Sequence, residues 1–455
     1  MLTSINPANN KLIRNYAELT SIESSDIISL ADESYVSWKE TAFTHRSRLM
    51  KNAAKILRNN SEEYSALMTM EMGKPIVQSR AEIEKCAWVC DYYAENAENF
   101  LTDEIIKTEA TKSFVSYQPL GTILAIMPWN FPFWQVFRFA APNLMAGNAG
   151  LLKHASNVSG CALAIEDVFR KAGFPDNIFR SLLISSKNVK KIIENKKVQA
   201  VTLTGSVPAG KSVASFAGSL IKKTVLELGG SDPYVILEDA DIEKAAMSCV
   251  TSRLINGGQS CIAAKRFIIV ESVYDEFEEI YLKFMSKKKM GNPADEKNDL
   301  GPQASLKLRD ELHEQVLRSV KQGAEIILGG TIPEMEGAYY PPTILTNVKP
   351  GMAAFDEELF GPVAALIKAK SEDEAIELAN KSAFGLGASV YTKDINRGEQ
   401  IAKEKLNAGC CFVNDFVKSD PRLPFGGIKE SGYGRELSPF GIKEFLNIKT
   451  VYVRC

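Results

Sequence analysis

The sequence predicts an α/β protein with two helix-wrapped parallel sheets. Two stretches carry that reading: short apolar runs alternate with helical patterns from Thr122 to Thr204, and the same alternation resumes after Gly230 and continues to Asn414. Such βαβα order places strands side by side in one direction, with the helices as crossovers. At 455 residues the chain is long enough for about three domains. A 45% hydrophobic and 24% charged composition is that of a folded globular protein with large cores.

Residues 24 to 100 read as mostly helical. Ser24-Ser25-Asp26 is a start signal, the apolar spacing runs through Leu57, Leu67 and Met70, and acidic-basic pairs occupy the outer faces. The stretch from Ser113 to Phe137 has no charge, yet Pro119, Gly121, Pro128, Asn130 and Pro132 interrupt any membrane helix through it, so it reads as buried strand and loop. Strands are then expected at Thr122–Met127, Ala149–Lys153, Ile178–Ile184 and Val198–Thr204, with helices at Phe133–Met145, up to Gly173, and at Val189–Glu194. In the second unit, strands are expected at Tyr234–Leu237, Phe267–Val270, Ala324–Leu328, Ala364–Ala369 and Cys411–Asn414, with helices at Ile242–Leu254 and Tyr274–Lys287. Two alternating segments, Ser113–Gln118 and Ile448–Val453, stand apart as peripheral strands.

Lys and Arg total 54 against 56 Asp and Glu, a formal charge of -2, and the one basic run, Lys287-Lys288-Lys289, reads as a helix end. Nucleic acid and membrane surfaces are therefore not expected partners. Eight scattered cysteines show no CxxC pair, which argues against a disulfide framework or a zinc site and for reduced thiols in a cytoplasmic protein. The first residues, Met1 to Pro7, lack a cationic stretch followed by an apolar one, so no secretory signal is expected. With only His45, His154 and His313, a histidine-based triad or metal cage is hard to build, and a carboxylate is the expected base.

Gly257-Gly258-Gln259-Ser260-Cys261 could present a sulfur in a confined space, and Glu227-Leu228-Gly229-Gly230 could bring a carboxylate to it. Either stretch alone fits a turn or a core cysteine equally well. Together with Met127-Pro128-Trp129-Asn130-Phe131-Pro132, the chain resembles the aldehyde dehydrogenase superfamily from Ile5 to its last residues. The resemblance implies a Rossmann-type cofactor domain (1–106 and 123–227), an α/β catalytic domain (228–430) and a small β oligomerisation flap (107–122 and 431–455). It also implies a homodimer or homotetramer. Cys261 is then the nucleophile, Asn130 an oxyanion donor together with the Cys261 main-chain N-H, and Glu227 the base that activates the deacylating water.

Gly205-Ser206-Val207-Pro208-Ala209-Gly210 joins the strand ending at Thr204 to a helix, where free N-H groups could face a pyrophosphate; a strand-to-helix turn calls for glycine with or without a ligand. In the resembled superfamily this turn cradles the dinucleotide, and the likeness extends cofactor contacts to Trp129, Lys153, Ser156, Gly205, Ser206, Gly210, Glu358 and Phe360. Ser156 stands where many NAD-preferring relatives carry a glutamate. A hydroxyl can donate to a 2'-phosphate that a carboxylate would repel, so NADP is the expected cofactor with NAD possible.

Trp134 and Arg138, at i and i+4 of a helix, share a face near Asn130. Two readings stay open for Arg138: an internal ion pair, or a clamp for a carboxylate at the far end of an aldehyde substrate. The runs around Lys153, Glu227 and Cys261 resemble the bacterial branch of the superfamily that oxidises succinate semialdehyde, in which the pocket is completed near Lys418–Arg422; Ser419 is added as a contact on that ground. A broader aldehyde dehydrogenase, a CoA-acylating relative and a catalytically silent dinucleotide-binding protein are the competing readings. No metal is expected.

Overall fold

The alternation after Thr122 closes into a six-stranded sheet with spatial order Gly432–Tyr433, Lys223–Glu227, Val198–Thr204, Thr122–Met127, Ala149–His154 and Phe179–Ser181 in the computed structural model, which describes residues 1–455. All neighbours in it are parallel except the edge pair Gly432–Tyr433 with Lys223–Glu227. The chain lays strands outward from Thr122–Met127 in one direction and then, from Val198–Thr204, in the other. The crevice between those two strands is a topological switch point, where loops leave the carboxyl ends in opposite senses and a ligand can enter.

A second sheet has the order Glu325–Leu328, Thr343–Thr346, Val363–Ala369, Arg266–Val270, Pro233–Ile236, Gly387–Tyr391 and Cys410–Val413. Its strands are parallel except the first pair. Successive side chains of Arg266–Val270 serve opposite faces: Ile268 and Val270 join one apolar cluster, Phe267 and Ile269 another, which is what a strand covered on both sides requires. Chain geometry brings the two sheets together. Glu227 ends a strand of the first and Pro233 begins one of the second, so carboxyl ends of one sheet face amino ends of the other across five residues, 228–232.

The helix Trp134–Met145 is buried along its whole length. Its first N-H groups, which lack intrahelical acceptors, are met by Glu82: Phe133 and Trp134 both donate to Oε1 at 2.9 Å. Glu82 in turn pairs with the buried Lys74, whose ammonium lies 3.8 Å from the centre of the Phe131 ring.

The three-stranded sheet Leu446–Val453, Lys112–Pro119 and Glu104–Ile105 is antiparallel and peripheral. The expected flap segment 431–455 is not uniform: Gly432–Tyr433 pairs within the first sheet, Glu436 is buried beside Arg138, and only Leu446–Val453 extends into the small sheet. Other differences have local causes. The first helix starts at Ser21, three residues before the expected signal, because Thr20 and Glu23 form a reciprocal capping box. Leu2–Asn6 and Lys11–Tyr16 pair as a hairpin that the sequence pattern did not announce. Met70 is exposed while Met68 and Met72 turn inward. The strand expected over Ile178–Ile184 is held to Phe179–Ser181, which pairs with Gly150–Leu152.

Candidate active site

Cys261 lies in the turn between the short 3-10 segment Ile255–Gly258 and the strand Arg266–Val270. The approach to it is a run of left-handed backbone: Asn256, Gly257 and Gly258 have φ of 54°, 62° and 77°. At Gly258 any side chain would also collide with the main-chain oxygen of Gly361, so both conformation and space demand glycine there. Asn256, the non-glycine member, is held by its amide, which donates to Asn130 O at 2.6 Å and Gln259 O at 3.1 Å. Lys265 fixes the other side of the turn, donating from Nζ to Ser260 O at 2.9 Å and Cys261 O at 2.6 Å.

Asn130 is buried, and its Nδ2 makes a single hydrogen bond, to Gln259 O at 3.1 Å. An amide has two N-H groups, so one is left for an acceptor in the site. The Cys261 main-chain N-H also has no acceptor within the chain. The loop carrying Asn130 is fastened by His154, whose Nε2 lies 2.9 Å from Pro132 O and whose Nδ1 lies 3.2 Å from Met127 O and 3.0 Å from Ala155 N. Burial depresses the imidazole to about 4, so the ring is neutral and one of its two nitrogens donates.

Glu227 is 2% exposed at the carboxyl end of its strand, and neither carboxylate oxygen has a hydrogen-bond partner. Burial raises its pKa well above the usual carboxylate range; the nearby Glu436 adds to the rise and Arg138 opposes it. A side chain at Gly426 would lie 2.7 Å from Glu227 Oε1, so that glycine leaves room for the carboxyl group. The Cys261 thiol is pushed up to about 12, chiefly by burial, with Lys265 and Arg138 lowering it and Glu358 and Glu227 raising it. Removal from water thus outweighs the two cations in the resting site. A base must take the proton, and Glu227 is the unpartnered carboxylate whose charge reaches the sulfur.

One cavity of about 470 Å³ reaches Cys261 and is walled by Phe131, Trp134, Arg138, Lys85, Ser419 and Phe425 among others. Arg138 settles between its two readings in an unexpected way. Its guanidinium forms an ion pair with the buried Glu436 through Nε, Nη2 contacts Thr204 Oγ1 at 3.4 Å, and Phe425 lies beneath it at 4.7 Å. The internal pair is thus present. Nη1 remains without a bond inside the chain while the residue lines the cavity. Trp134 lies under the Lys85 ammonium at 4.3 Å, and Lys85 Nζ donates to Ser419 Oγ at 2.8 Å.

The turn expected to meet the cofactor does leave the switch-point crevice. Ser206 caps the helix Val207–Ser219 without any side-chain bond, and the first turn carries no acidic residue, so its amide groups are open to an anion. Lys153 is buried with neither ion pair nor hydrogen bond, an arrangement that suits an anionic ligand group; Ser156 begins the next turn with its hydroxyl partly exposed. Gly210 has a packing reason of its own, since a side chain there would strike Leu228. Trp129 and Phe360 meet edge to face at 5.7 Å. Glu358, expected at a ribose, accepts from Gly230 N-H at 2.9 Å and pairs with Lys265 at 3.4 Å, which ties it to both catalytic loops. Lys265, Glu436 and Lys85 were not singled out from the sequence. Lys265 follows the Cys261 motif by four residues, whereas Glu436 adjoins no quoted motif and Lys85 is hidden in an ordinary helical charge pattern. No group of three or more His, Cys, Asp or Glu side chains is arranged to hold a metal ion.

A sequence model of the aldehyde dehydrogenase family matches residues 1–451, and the chain belongs to that family. It is 49% identical over 452 residues to a probable NADP-dependent succinate-semialdehyde dehydrogenase of Synechocystis, covering 99% of both chains. It is 47% identical over 449 residues to the NAD(P)-dependent succinate semialdehyde dehydrogenase of Escherichia coli, covering 99% of this chain and 97% of the relative. Among solved structures, succinic semialdehyde dehydrogenase of Streptococcus pyogenes in complex with NADP superposes with a TM-score of 0.98 at 36% identity, covering 100% of both chains.

Proposed function

We propose that this chain oxidises succinate semialdehyde to succinate with NADP as the preferred acceptor and NAD as the alternative. The observation that carries the reading is the single cavity in which a reachable cysteine and a guanidinium with an unengaged Nη1 share walls, a shape suited to an aldehyde with a carboxylate at its other end. The relatives named above support the same substrate and cofactor.

Glu227 takes the thiol proton as the Cys261 sulfur adds to the carbonyl carbon. The carbonyl oxygen gains the electron pair and is held by the free Asn130 N-H and the Cys261 main-chain N-H. Bound nicotinamide supplies the acceptor for the hydride leaving that carbon. Glu227 releases the thiol proton to solvent before the second half of the reaction; the thioester left on Cys261 is then attacked by water whose proton passes to Glu227 and on to the departing sulfur as the carbon–sulfur bond breaks, and the acid departs. Lys153, Ser156 and the open first turn after Ser206 would hold the cofactor, with Trp129, Glu358 and Phe360 toward its nicotinamide end.

The expected division of the chain is proposed with one change, the flap comprising residues 104–119 and 446–453. The exposed Ile448, Tyr452 and Val453 on an edge strand fit an apolar surface that a second copy would cover, consistent with a homo-oligomer in the cytoplasm. No helix is long and apolar enough to cross a membrane.

Absorbance at 340 nm, with succinate semialdehyde and butanal each crossed with NADP and NAD, tests the reading. Succinate semialdehyde with NADP should give the highest kcat/KM; equal values for the two aldehydes would sink the substrate assignment.

A further inference from the structure

Four cations line the cavity, and three of them are paired with carboxylates. Arg138 pairs with Glu436, Lys288 with Asp299 and Lys418 with Asp415, while Lys85 forms no ion pair and donates only to Ser419. The other acid close by, Asp420, is taken by Arg422. Lys85 is nevertheless fixed: Ser419 Oγ accepts from its Nζ at 2.8 Å and the Trp134 ring lies 4.3 Å away, so its charge is held at the cavity wall by a neutral hydroxyl and an aromatic face. Arg138, across the same space, repels it. A half-buried cation at a cavity wall, lacking a counter-ion and facing a second cation, is a site for an anion.

We propose that Lys85 is a specificity-determining residue that, with the hydroxyl of Ser419 and the Nη1 of Arg138, binds the far carboxylate of the aldehyde substrate. The inference rests on the ω-oxo-acid reading above and deepens it. Because Glu436 already neutralises Arg138, Lys85 supplies the net positive charge of the subsite. Ser419, accepting from the ammonium, keeps its own O-H to donate to the carboxylate.

The groups facing Lys85 are Glu82 and Cys86 on its own helix, Arg138 on Trp134–Met145, and Asp420 on the loop beyond Ser419. Burial first and Arg138 second bring the ammonium down to about 8, with Cys86, Glu82 and Asp420 opposing. Its charge is present below that pH and lost above it, so carboxylate binding should weaken between pH 7 and 9.

The experiment compares wild type with Lys85→Met and Lys85→Arg on succinate semialdehyde and butanal. Lys85→Met should lower the ratio of kcat/KM for succinate semialdehyde over butanal at least tenfold, the change falling on KM for the acid. Lys85→Arg should recover most of that ratio. In wild type, KM for succinate semialdehyde relative to butanal should climb from pH 7 to 9, and the climb should vanish in Lys85→Arg. A folded Lys85→Met that keeps the ratio within twofold overturns the proposal, as does a flat wild-type pH profile if that variant fails to fold. Wild type with no preference for the acid overturns the functional reading as well, whereas an intact wild-type preference that survives Lys85→Met overturns only the role of Lys85.

Discussion

Lys265 donates through Nζ to the main-chain oxygen of Cys261 at 2.6 Å, so a fully buried cation grips the backbone of the proposed nucleophile itself. The same ammonium pairs with Glu358 at 3.4 Å and lowers the pKa of the buried Asp232, which burial nonetheless raises to about 6. Lys265 thereby links the Cys261 turn, the Glu227 loop through Gly230, and the Glu358 segment.

Replacing Lys265 with Met should therefore cost more than a surface lysine would. It leaves Asp232 without its main compensating charge and Glu358 without its ion-pair partner, so the protein should be destabilised. Thermal unfolding should report the destabilisation. kcat should fall for succinate semialdehyde and butanal alike, since the damage is to the cysteine turn and not to the recognition of the far end of the substrate.

Gly258→Ala should disable the enzyme. The left-handed conformation alone costs about 1–2 kcal/mol for a residue with Cβ, and the collision with Gly361 forces the Cys261 approach to move. Gly218→Ala makes the matched control: it lies in the helix Val207–Ser219 with nothing within 4 Å of the added carbon, and should raise stability by roughly 0.5–1 kcal/mol. Melting temperatures and kcat of the two variants check both signs.

Glu227→Gln should reduce kcat about 10²- to 10⁴-fold, the range for a general base. The pH dependence follows from the raised pKa. The base must be ionised to work, so the acid limb of wild-type kcat/KM should lie above the ordinary carboxylate range. For stability the sign is opposite: a carboxyl group whose folded pKa is raised contributes fully at pH below its unfolded value and loses that contribution as pH rises through the folded one. Gln, neutral throughout, should thus raise the melting temperature at pH 8 and have little effect at pH 4.

Ser156→Glu should turn cofactor choice toward NAD. The new carboxylate would face a 2'-phosphate carrying about -1.5 to -2 charge, near a Lys153 that has no other partner in the chain. The ratio of kcat/KM for NADP over NAD should drop at least tenfold, about 1.4 kcal/mol or more. A ratio that does not move would remove Ser156 from the cofactor site.

Much of this molecule is legible in the sequence. Strand and helix periods locate Val198–Thr204, Val189–Glu194 and Ile242–Leu254 at their observed limits, because each is bounded by turn residues and filled by one consistent pattern. The hairpin Leu2–Tyr16 is not legible because in Leu2–Asn6 the polar Ser4 faces inward and the apolar Ile5 outward, while Lys11–Tyr16 is largely exposed. Among site residues, those inside contiguous motifs were visible: Asn130 between two prolines, Cys261 after its glycines, Glu227 before Gly229-Gly230. Arg138 was noticed for its charge in an apolar helix, but whether Nε is paired depends on Glu436, which enters from the far end of the chain.

By itself, then, the sequence determined the α/β class and set the proposed nucleophile, base and oxyanion donor within contiguous motifs, because short-range chemistry and local periodicity are written in neighbouring residues. Tertiary structure alone decided which charges are spent on one another. Lys85 and Ser419 are 334 residues apart, and Arg138 meets Glu436 only after both sheets have closed. Burial makes an ion's energy depend on whatever partner folding delivers to it, and no local pattern records that delivery.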